Sequence, residues 1–454
     1  MQSNPFTVGQ TVPPERFVGR RSEIDAAFDQ IHNRSHLAIW GGPGMGKSSF
    51  LKKLASPQVW EEYGQDPTQA VIVLFSCLNI SPFTASGFWK ETLSHLKDIL
   101  DGEPSLQTEV RKLLETEPVT KESLRQVLRS LGRKDKFLVL LVDDYDVALC
   151  ENPQYTRDDV LRFLSECRNL TYHSKERRHL SMIVTSLQRL SELGPPLDQF
   201  SSPWYNHYLF QSLKPFTDSE FQQLLGVSPQ TPQALQDIIR EISGGHPALL
   251  QNVGSLLCKQ LREGQVLDAK AFAKNFESDT RHIFQDIWAR CSSEEQTLLV
   301  LIALCGLKGR LNKHNYDLSS IELIFSQKEQ NISSLEEQGV LVRTELTKDK
   351  NVKNGSVKGV IIRTEQGEKK LLSFTSSVME RWIIQELGNI NQESMEKRRK
   401  VFLNLMSKEQ VEKVIQVIKR VRSNKEQVNS TLEWFNKVSA ALPKGTIQGL
   451  FNWS

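Results

Sequence analysis

A lysine and a serine, Lys47 and Ser48, end a glycine-rich stretch and complete the pattern G-x-x-x-x-G-K-[ST]. The stretch consists of Gly41, Gly42, Pro43, Gly44, Met45, Gly46, Lys47, Ser48 and Ser49. Because glycine adopts backbone angles closed to other residues, successive N–H groups of such a stretch can point at phosphate oxygens. Lys47 could then reach the β- and γ-phosphates of a nucleotide, and the Ser48 hydroxyl could ligate Mg²⁺. The pattern therefore predicts a nucleotide-binding loop; a glycine-rich turn with a chance lysine is the alternative.

Two adjacent carboxylates, Asp143 and Asp144, follow the apolar run 137–142. A run that is apolar on both faces is typical of a strand in the middle of a parallel sheet. Since ligands of such sheets bind at the carboxyl ends of the strands, we expect both aspartates beside the glycine-rich loop. Asp143 would hold Mg²⁺ through water, and Asp144 would orient or polarise an attacking water. The alternative is a pair of helix-capping aspartates after a core strand.

Two further segments carry residues that could contact the same ligand. The apolar run 180–186 ends at the same predicted edge of the sheet, where Thr185 or Ser186 could sense a γ-phosphate. A turn at Val18, Gly19 and Arg20 is followed by a helical pattern and could close over the base of a nucleotide. A plain helix cap is the alternative for this turn.

Two glycines followed by His246 and Pro247 interrupt a helical region. The glycines would end one helix, and Pro247 would start the next. A connector between two helices is the plain interpretation of this segment. A lone histidine such as His246 is more often structural than catalytic.

The order of apolar runs and helical patterns predicts an α/β fold. Strands that alternate with helices up to residue 214 indicate a doubly wound parallel sheet, the architecture of a P-loop NTPase domain. Helices follow to about residue 280, and then three helices and a β-hairpin describe a winged helix. The predicted parts are a lead-in (1–16), the P-loop NTPase domain (17–214), a helical lid domain (215–285), a winged-helix domain (286–388) and a basic helical C-terminal region (389–454).

The composition excludes several classes of protein. The 454 residues carry a net charge of +3, which is too small to indicate nucleic acid by itself. The six cysteines are scattered, with no C-x-x-C and no Cys/His cluster, so we expect neither disulfides nor zinc but a reducing cytosol. The first residues show no secretory signal, and the apolar run 298–305 is too short to span a bilayer. We therefore expect a cytoplasmic protein with no membrane partner.

Residues 395–454 are basic, with 12 Lys or Arg against 5 Asp or Glu. Apolar residues recur there at helical spacing. A small accessory bundle with a solvated basic face is the plain interpretation.

Taken together, these segments resemble the STAND class of AAA+-related P-loop ATPases. The resemblance rests on motifs already named, in this order: the turn at 18–20, the P-loop, the aspartate pair after 137–142, the strand that ends with Thr185, and residues 245–247. It implies a slow, regulatory ATPase that binds Mg²⁺ with ATP or ADP, is closed with ADP, and opens and forms a homo-oligomer with ATP. It also implies that Pro247 contacts the nucleotide and that an effector or sensor protein binds, for which the C-terminal region is a candidate.

Two features depart from the STAND class. Leu187 stands where members often have an arginine, the nearest arginine being Arg189, and no Met-His-Asp motif occurs in the predicted winged helix. These gaps suggest one of the less typical prokaryotic branches, in which defence and regulation are among the known roles.

The alternative is a DNA-binding AAA+ ATPase of the origin-recognition or transposition-helper type, which shares the same motifs. The predicted helix 329–338 carries three glutamates and no Lys or Arg. This composition argues against binding of the helix to the phosphates of DNA. Lysines in the predicted hairpin 348–358 argue mildly for DNA. DNA is therefore a second partner to test, and the nucleotide switch is favoured.

Overall fold

The computed structural model describes residues 4–195, 203–226, 231–262, 269–307, 321–345, 359–363 and 369–425. Two compact units make up the chain. The sheet unit consists of residues 11–41 and 46–213, and the helical unit consists of residues 1–10, 42–45 and 214–454.

A parallel sheet forms the centre of the sheet unit. Its strands among the described residues are β1 (His36–Trp40), β2 (Ala70–Ser76), β3 (Phe137–Asp143), β4 (Leu180–Ser186) and β5 (Tyr208–Ser212). All neighbouring strands run parallel, in the order β2-β3-β4-β1-β5. Every residue of β1, β3 and β4 is buried, whereas the edge strand β2 alternates between buried and half-buried residues. The predicted α/β fold with a P-loop NTPase sheet is confirmed.

One helix precedes the first strand and others lie between later strands, and each buries one apolar face. They are α1 (Arg21–His32), α2 (Lys47–Leu54), α3 (Pro57–Glu62), α4 (Ala85–Ile99), α5 (Pro104–Glu115), α6 (Lys121–Gly132) and α7 (Arg157–Arg168). In α7, a capping box of Thr156 and Asp159 starts the helix, and buried apolar residues then recur at helical spacing. Phe163 of α7 meets Phe88 of α4 with ring centroids 5.0 Å apart, within the core of the unit.

Helices dominate the helical unit. In its described residues they are α8 (Asp218–Leu225), α9 (Gln233–Ser243), α10 (Pro247–Arg262), α11 (Ala269–Arg290), α12 (Ser293–Gly306), α13 (Glu322–Gln327), α14 (Glu329–Glu337), α15 (Ser377–Asn389), α16 (Gln392–Leu405) and α17 (Lys408–Ser423). Three antiparallel strands, β6 (Leu341–Glu345), β7 (Val360–Arg363) and β8 (Lys369–Phe374), pair in the order β6-β8-β7. One core runs through the unit and includes the fully apolar middle of α12.

Helices α12 to α14 and strands β6 to β8 follow one another in the order expected for a winged helix, and that name stays a prediction. The hairpin predicted at 348–358 and the last part of the basic region, 426–454, lie outside the described residues. None of the helices that the structure describes has the length and apolar character needed to cross a membrane. The six cysteines are free thiols.

Candidate functional site

The glycine-rich loop begins where β1 ends, and its first and last residues belong to the sheet unit. Gly46 has a φ of +92°, a left-handed angle that explains a glycine just before α2. Lys47 is the first residue of α2, and its Nζ donates a hydrogen bond to the Gly41 carbonyl at 2.7 Å. The Gly41 N–H in turn donates to the Ser186 carbonyl at 3.3 Å. The lysine and the start of the loop are thus tied to the end of β4.

The middle of the loop, residues 42–45, belongs to the helical unit and contacts the start of α10. His246 is hydrogen-bonded to the Pro43 carbonyl, with Nε2 2.9 Å from the oxygen. The Ala248 N–H donates to the Gly44 carbonyl at 3.3 Å. Gly44 has a φ of +77°, and a Cβ at this position would come within 2.7 Å of the His246 ring. A side chain at Gly44 would therefore disturb both the loop and its contact with α10.

The turn before α10 explains which residue makes this contact. Gly244 and Gly245 have φ angles of +60° and +74°, which reverse the chain between α9 and α10. His246 follows them and contacts the loop, whereas Pro247 is the buried first residue of α10. Sequence reasoning weighed His246 as a structural residue of a connector and did not anticipate its contact with the loop. The nucleotide contact of Pro247 stays a prediction.

The residues after α14 also lie against the loop, within the helical unit. A Cβ at Gly42 would come within 2.8 Å of the Gln338 carbonyl oxygen. Met45 is buried, and its Cε lies where a Cβ at Gly339 would project. Glycine at position 42 is therefore required for a close approach of two backbones.

The two aspartates at the end of β3 are tied to different neighbouring strands. Thr185, near the end of β4, donates from its Oγ1 to Oδ1 of Asp143. Ser76, at the end of β2, donates from its Oγ to Oδ2 of Asp144 at 2.6 Å. Asp144 has a φ of +52°, which is uncommon for a residue other than glycine, and the 3-10 turn Tyr145–Leu149 follows it. One carboxylate is thus held toward β4 and the other toward β2.

Sequence reasoning missed two polar residues at this edge of the sheet, Ser76 and Asp146. Asp146 accepts a hydrogen bond at Oδ1 from the Leu187 N–H, at 2.7 Å. Burial raises the pKa of the Asp146 carboxyl, whereas the Leu187 N–H and the positive charge of Lys47 act to lower it. The signals in the sequence were a serine that ends an apolar run and a third acid after the predicted pair.

The oxygen donors at this edge fit Mg²⁺ that arrives with a nucleotide. Thr185 is hydrogen-bonded to Oδ1 of Asp143, so the other carboxylate oxygen, Oδ2, could hold Mg²⁺ through water. The Ser48 hydroxyl would supply an oxygen that ligates the ion directly. Among the described residues no group of three or more His, Cys, Asp or Glu could hold a metal ion alone. Nucleotide-borne Mg²⁺ needs no such group, because phosphates and waters supply most of its ligands. Ser48 and Asp143 therefore stay the predicted ligands.

The turn at residues 18–20 leads directly into α1. Gly19 and Arg20 have φ angles of +72° and +61°. Arg20 is buried, and its guanidinium lies 3.5 Å from the Glu23 carboxylate, within the turn. Val18 is half-buried. A contact of these residues with a base stays a prediction.

Ser49, a predicted nucleotide contact, and Arg189, the arginine nearest to position 187, have partners within the sheet unit. The Ser49 hydroxyl accepts a hydrogen bond from the Val12 N–H at 2.9 Å, so it ties the lead-in to α2. A phosphate contact of Ser49 stays a prediction.

The guanidinium carbon of Arg189 lies 4.8 Å from the ring centroid of Trp40, the residue before the loop. Arg189 thus packs on β1 beside the loop.

Residues 30–193 match a protein-family model described as an AAA domain. The chain therefore contains a P-loop ATPase domain of the AAA type, and the matched residues other than 42–45 belong to the sheet unit. A solved structure of a Walker-type ATPase of Pyrococcus abyssi has a TM-score of 0.51 and 15% sequence identity, and the match covers 84% of this chain and 99% of that chain. At this identity the likeness shows a shared fold.

Two more solved structures match with lower scores. The ORC2 protein of Aeropyrum pernix, in ADPNP–ADP complexes, has a TM-score of 0.47 and 13% identity over 85% of this chain and 98% of that chain. Drosophila ORC bound to DNA has a TM-score of 0.37 and 14% identity over 83% of this chain and 89% of that chain. Similarity at these scores supports no conclusion about ligands or partners. No curated protein matches the chain.

Proposed function

We propose that the chain binds Mg²⁺ with ATP or ADP at residues 41–49 and hydrolyses ATP slowly to reset a signalling switch. The proposal rests on the different hydrogen-bond partners of the two aspartates. Asp143 accepts a hydrogen bond from Thr185, and Asp144 accepts one from Ser76. Two adjacent carboxylates in different hydrogen bonds can take different roles, one toward a metal and the other toward water. A pair that only capped a helix would need no such division.

Each side chain would have a distinct part in the reaction. Lys47 would hold the β- and γ-phosphates as a point charge. Asp143 and Ser48 would hold Mg²⁺, which when bound supplies positive charge to the phosphate oxygens. Asp144 would accept a hydrogen bond from the attacking water and orient it, while the bond from Ser76 fixes the carboxylate.

The contacts of residues 42–45 support a switch. The bonds of His246 with Pro43 and of Ala248 with Gly44 place α10 on the part of the loop whose N–H groups would face phosphate. A nucleotide can shift the balance between two states only by its difference in affinity for them. We propose that ADP favours a closed state in which these bonds are made, and that ATP favours an open state that forms a homo-oligomer.

Mass measurement tests the switch directly. The purified chain would be sized by analytical ultracentrifugation with ADP and with a non-hydrolysable ATP analogue, and the nucleotide that copurifies would be extracted and identified. We expect a monomer with ADP and a larger species with the analogue. The same mass in both samples would refute the switch, whereas hydrolysis of ATP by the same preparation would still support the ATPase.

A second candidate function is DNA binding, which one surface favours. Lys419, Arg420 and Arg422, near the end of α17, are exposed and have no carboxylate partner in the part of the chain that the structure describes. Helix α14 offers no such charge, and its Glu329 and Glu336 pair with Arg343 at 2.6 and 3.0 Å. We therefore assign any DNA contact to α17 and not to α14.

Fluorescence anisotropy with duplexes of random and defined sequence tests this second function. Phosphate contacts release counterions, so binding that rests on exposed cations should be weak, should fall steeply between low and moderate salt, and should show no sequence preference. Tight, salt-resistant binding to one duplex would make DNA binding the favoured function.

A further inference from the structure

Asp146 has no part in the proposed chemistry, although it lies close after Asp143 in the sequence. Its side chain is half-buried, and Oδ1 accepts the hydrogen bond from the Leu187 N–H at 2.7 Å. Leu187 is the first residue after β4. The carboxylate thus holds the backbone just beyond the end of that strand.

A series of hydrogen bonds leads from this point into the glycine-rich loop. The carbonyl of Ser186, the neighbour of Leu187, accepts from the Gly41 N–H at 3.3 Å. The Gly41 carbonyl accepts from Lys47 Nζ at 2.7 Å. The charge of Lys47 also acts on Asp146, where it favours the carboxylate form. A displacement of Leu187 would therefore reach the lysine that is expected to hold phosphate.

The same part of β4 carries the partner of Asp143. Thr185 precedes Leu187 by two residues and donates to Asp143. The bonds Thr185–Asp143 and Leu187–Asp146 are thus two ties between the end of β4 and the chain at the end of β3. Since the tie needs only a side-chain oxygen that accepts the Leu187 N–H, an amide oxygen at position 146 could make it as well.

We propose that Asp146 is a positioning residue of the ATPase site. By holding the Leu187 N–H it fixes the end of β4, and the end of β4 fixes the start of the loop with Lys47. This inference rests on the proposed ATPase function. Hydrolysis depends on the alignment of a few atoms, whereas affinity for a nucleotide is shared among many contacts. Loss of the tie should therefore affect turnover more than binding.

Two replacements of Asp146 distinguish a residue that positions the backbone from one whose negative charge is needed for hydrolysis. Asp146→Asn keeps an acceptor oxygen within reach of Leu187 but removes the charge, and Asp146→Ala removes both. We expect Asp146→Ala to lower kcat about tenfold while Kd for Mg-ATP stays within about threefold, and we expect Asp146→Asn to recover most of kcat. Single-turnover hydrolysis and titration with a fluorescent ATP analogue give the two quantities.

Asp159→Ala is the matched control, because Asp159 also accepts a backbone hydrogen bond, from Thr156 at 3.0 Å, at the start of α7. It should lower Tm and leave kcat unchanged. An Asp146→Ala variant with wild-type kcat would overturn the inference, and so would equal losses in the Asn and Ala variants. If the Ala variant does not fold, the Asn variant decides, since a tenfold loss there contradicts a role as an acceptor alone. A wild-type chain that binds ATP without hydrolysing it would refute the ATPase itself, and that outcome is recognised from the wild-type arm alone.

Discussion

The candidate residues of the sheet unit and those of the helical unit are held by different kinds of contact. In the sheet unit, Ser76 and Asp143 are register partners across β2 and β3, and Thr185 lies near the end of the next strand. Their backbones belong to a ladder of hydrogen-bonded parallel strands. In the helical unit, hydrogen bonds join residues 42–45 to the start of α10, from the His246 side chain to the Pro43 carbonyl and from the Ala248 N–H to the Gly44 carbonyl.

This difference matches two different needs. Chemistry requires groups that stay within a fraction of an ångström of their working positions, and a buried strand end provides this. A switch requires contacts that a ligand can break, and a typical hydrogen bond has a net value of only about 0.5–1.5 kcal/mol. In the proposed function, hydrolysis would take place in the sheet unit and the helical unit would control it, and each prediction below tests one side of that comparison.

The largest effect is expected at Asp144. Asp144→Asn keeps the hydrogen bond from Ser76 but removes the charge that orients and polarises water, so kcat should fall by about 10²–10⁴-fold. Binding of Mg-ATP should persist because Asp143 remains. Single-turnover hydrolysis and nucleotide titration measure the two effects, and Asp158→Asn, at an exposed position of α7, is the charge-matched control.

Ser76→Ala sharpens the same test. Without the 2.6 Å bond the Asp144 carboxylate keeps its charge but loses its orientation, so the loss of kcat should be smaller than in Asp144→Asn. Turnover of Asp144→Asn at the wild-type rate would show that Asp144 does not act on water, and the division of the aspartate pair would then have no chemical meaning.

Lys47→Ala should show the next largest effect. Removal of one partner of a charge pair with phosphate costs about 2–5 kcal/mol, so affinity for a fluorescent ATP analogue should fall roughly 30-fold or more. Lys52→Ala is the control, because Lys52 lies on the same helix and its Nζ donates to Thr11. Full affinity in Lys47→Ala would contradict the assignment of the glycine-rich loop to phosphate.

Much of the sheet unit follows from local sequence, because its strands are short apolar runs between breaks. The runs at 137–142 and 180–186 correspond to β3 and β4, and the fixed spacing of the glycine-rich loop located the start of α2. The order of the strands in the sheet could not be predicted from the sequence, because it depends on how the helices pack against the sheet. For the same reason the partner of Asp144 could not be predicted, although Ser76 ends an apolar run.

The candidate residues of the helical unit were less predictable. The turn at Gly244 and Gly245 was visible as a helix end, but no local pattern shows that His246 lies 2.9 Å from the Pro43 carbonyl. That contact joins residues about two hundred positions apart, and it depends on the packing of the whole unit. Periodicity reports which face of a helix is buried and does not report what covers it.

Acid should weaken the sheet unit through His36, a buried residue of β1. Burial lowers the pKa of His36 to about 4, although its bond with the Thr171 carbonyl acts in the opposite direction. Because the imidazole is neutral in the folded chain, its contribution to stability is present above the unfolded pKa of about 6.5 and is lost as pH falls toward 4. Between pH 7 and pH 5 the wild type should lose about 2 kcal/mol through this group.

Urea unfolding at the two pH values measures this loss. His36→Gln keeps a donor and an acceptor but does not titrate, so its free energy of unfolding should change less with pH than that of the wild type. An identical pH dependence in His36→Gln would show that another group carries the acid sensitivity, for example His207, whose pKa burial also lowers, to about 3.

The smallest effect is expected at the contact with α10. His246→Ala removes the bond to the Pro43 carbonyl, which favours the closed state if that bond is made only there. Its loss should shift the balance toward the open state by about 0.5–1.5 kcal/mol, or up to roughly tenfold. Stopped-flow release of a fluorescent ADP analogue should be faster by the same factor, and kcat measured at saturating ATP should change little.

Pro247→Leu separates the two residues of this turn, and His282→Ala, at an exposed position of α11, is the control. Proline at the first position of a helix fixes φ and presents a rigid ring but no charge, so its loss can loosen the closed state without altering phosphate chemistry. If Pro247 contacts the nucleotide, Pro247→Leu should speed ADP release and raise the oligomer fraction at a given ATP concentration, as His246→Ala does. Faster ADP release in His246→Ala but not in Pro247→Leu would mean that Pro247 only starts a helix and that His246 makes the regulatory contact. Unchanged release in both variants would mean that α10 does not report the state of the loop, and control of hydrolysis would then have to lie elsewhere in the chain.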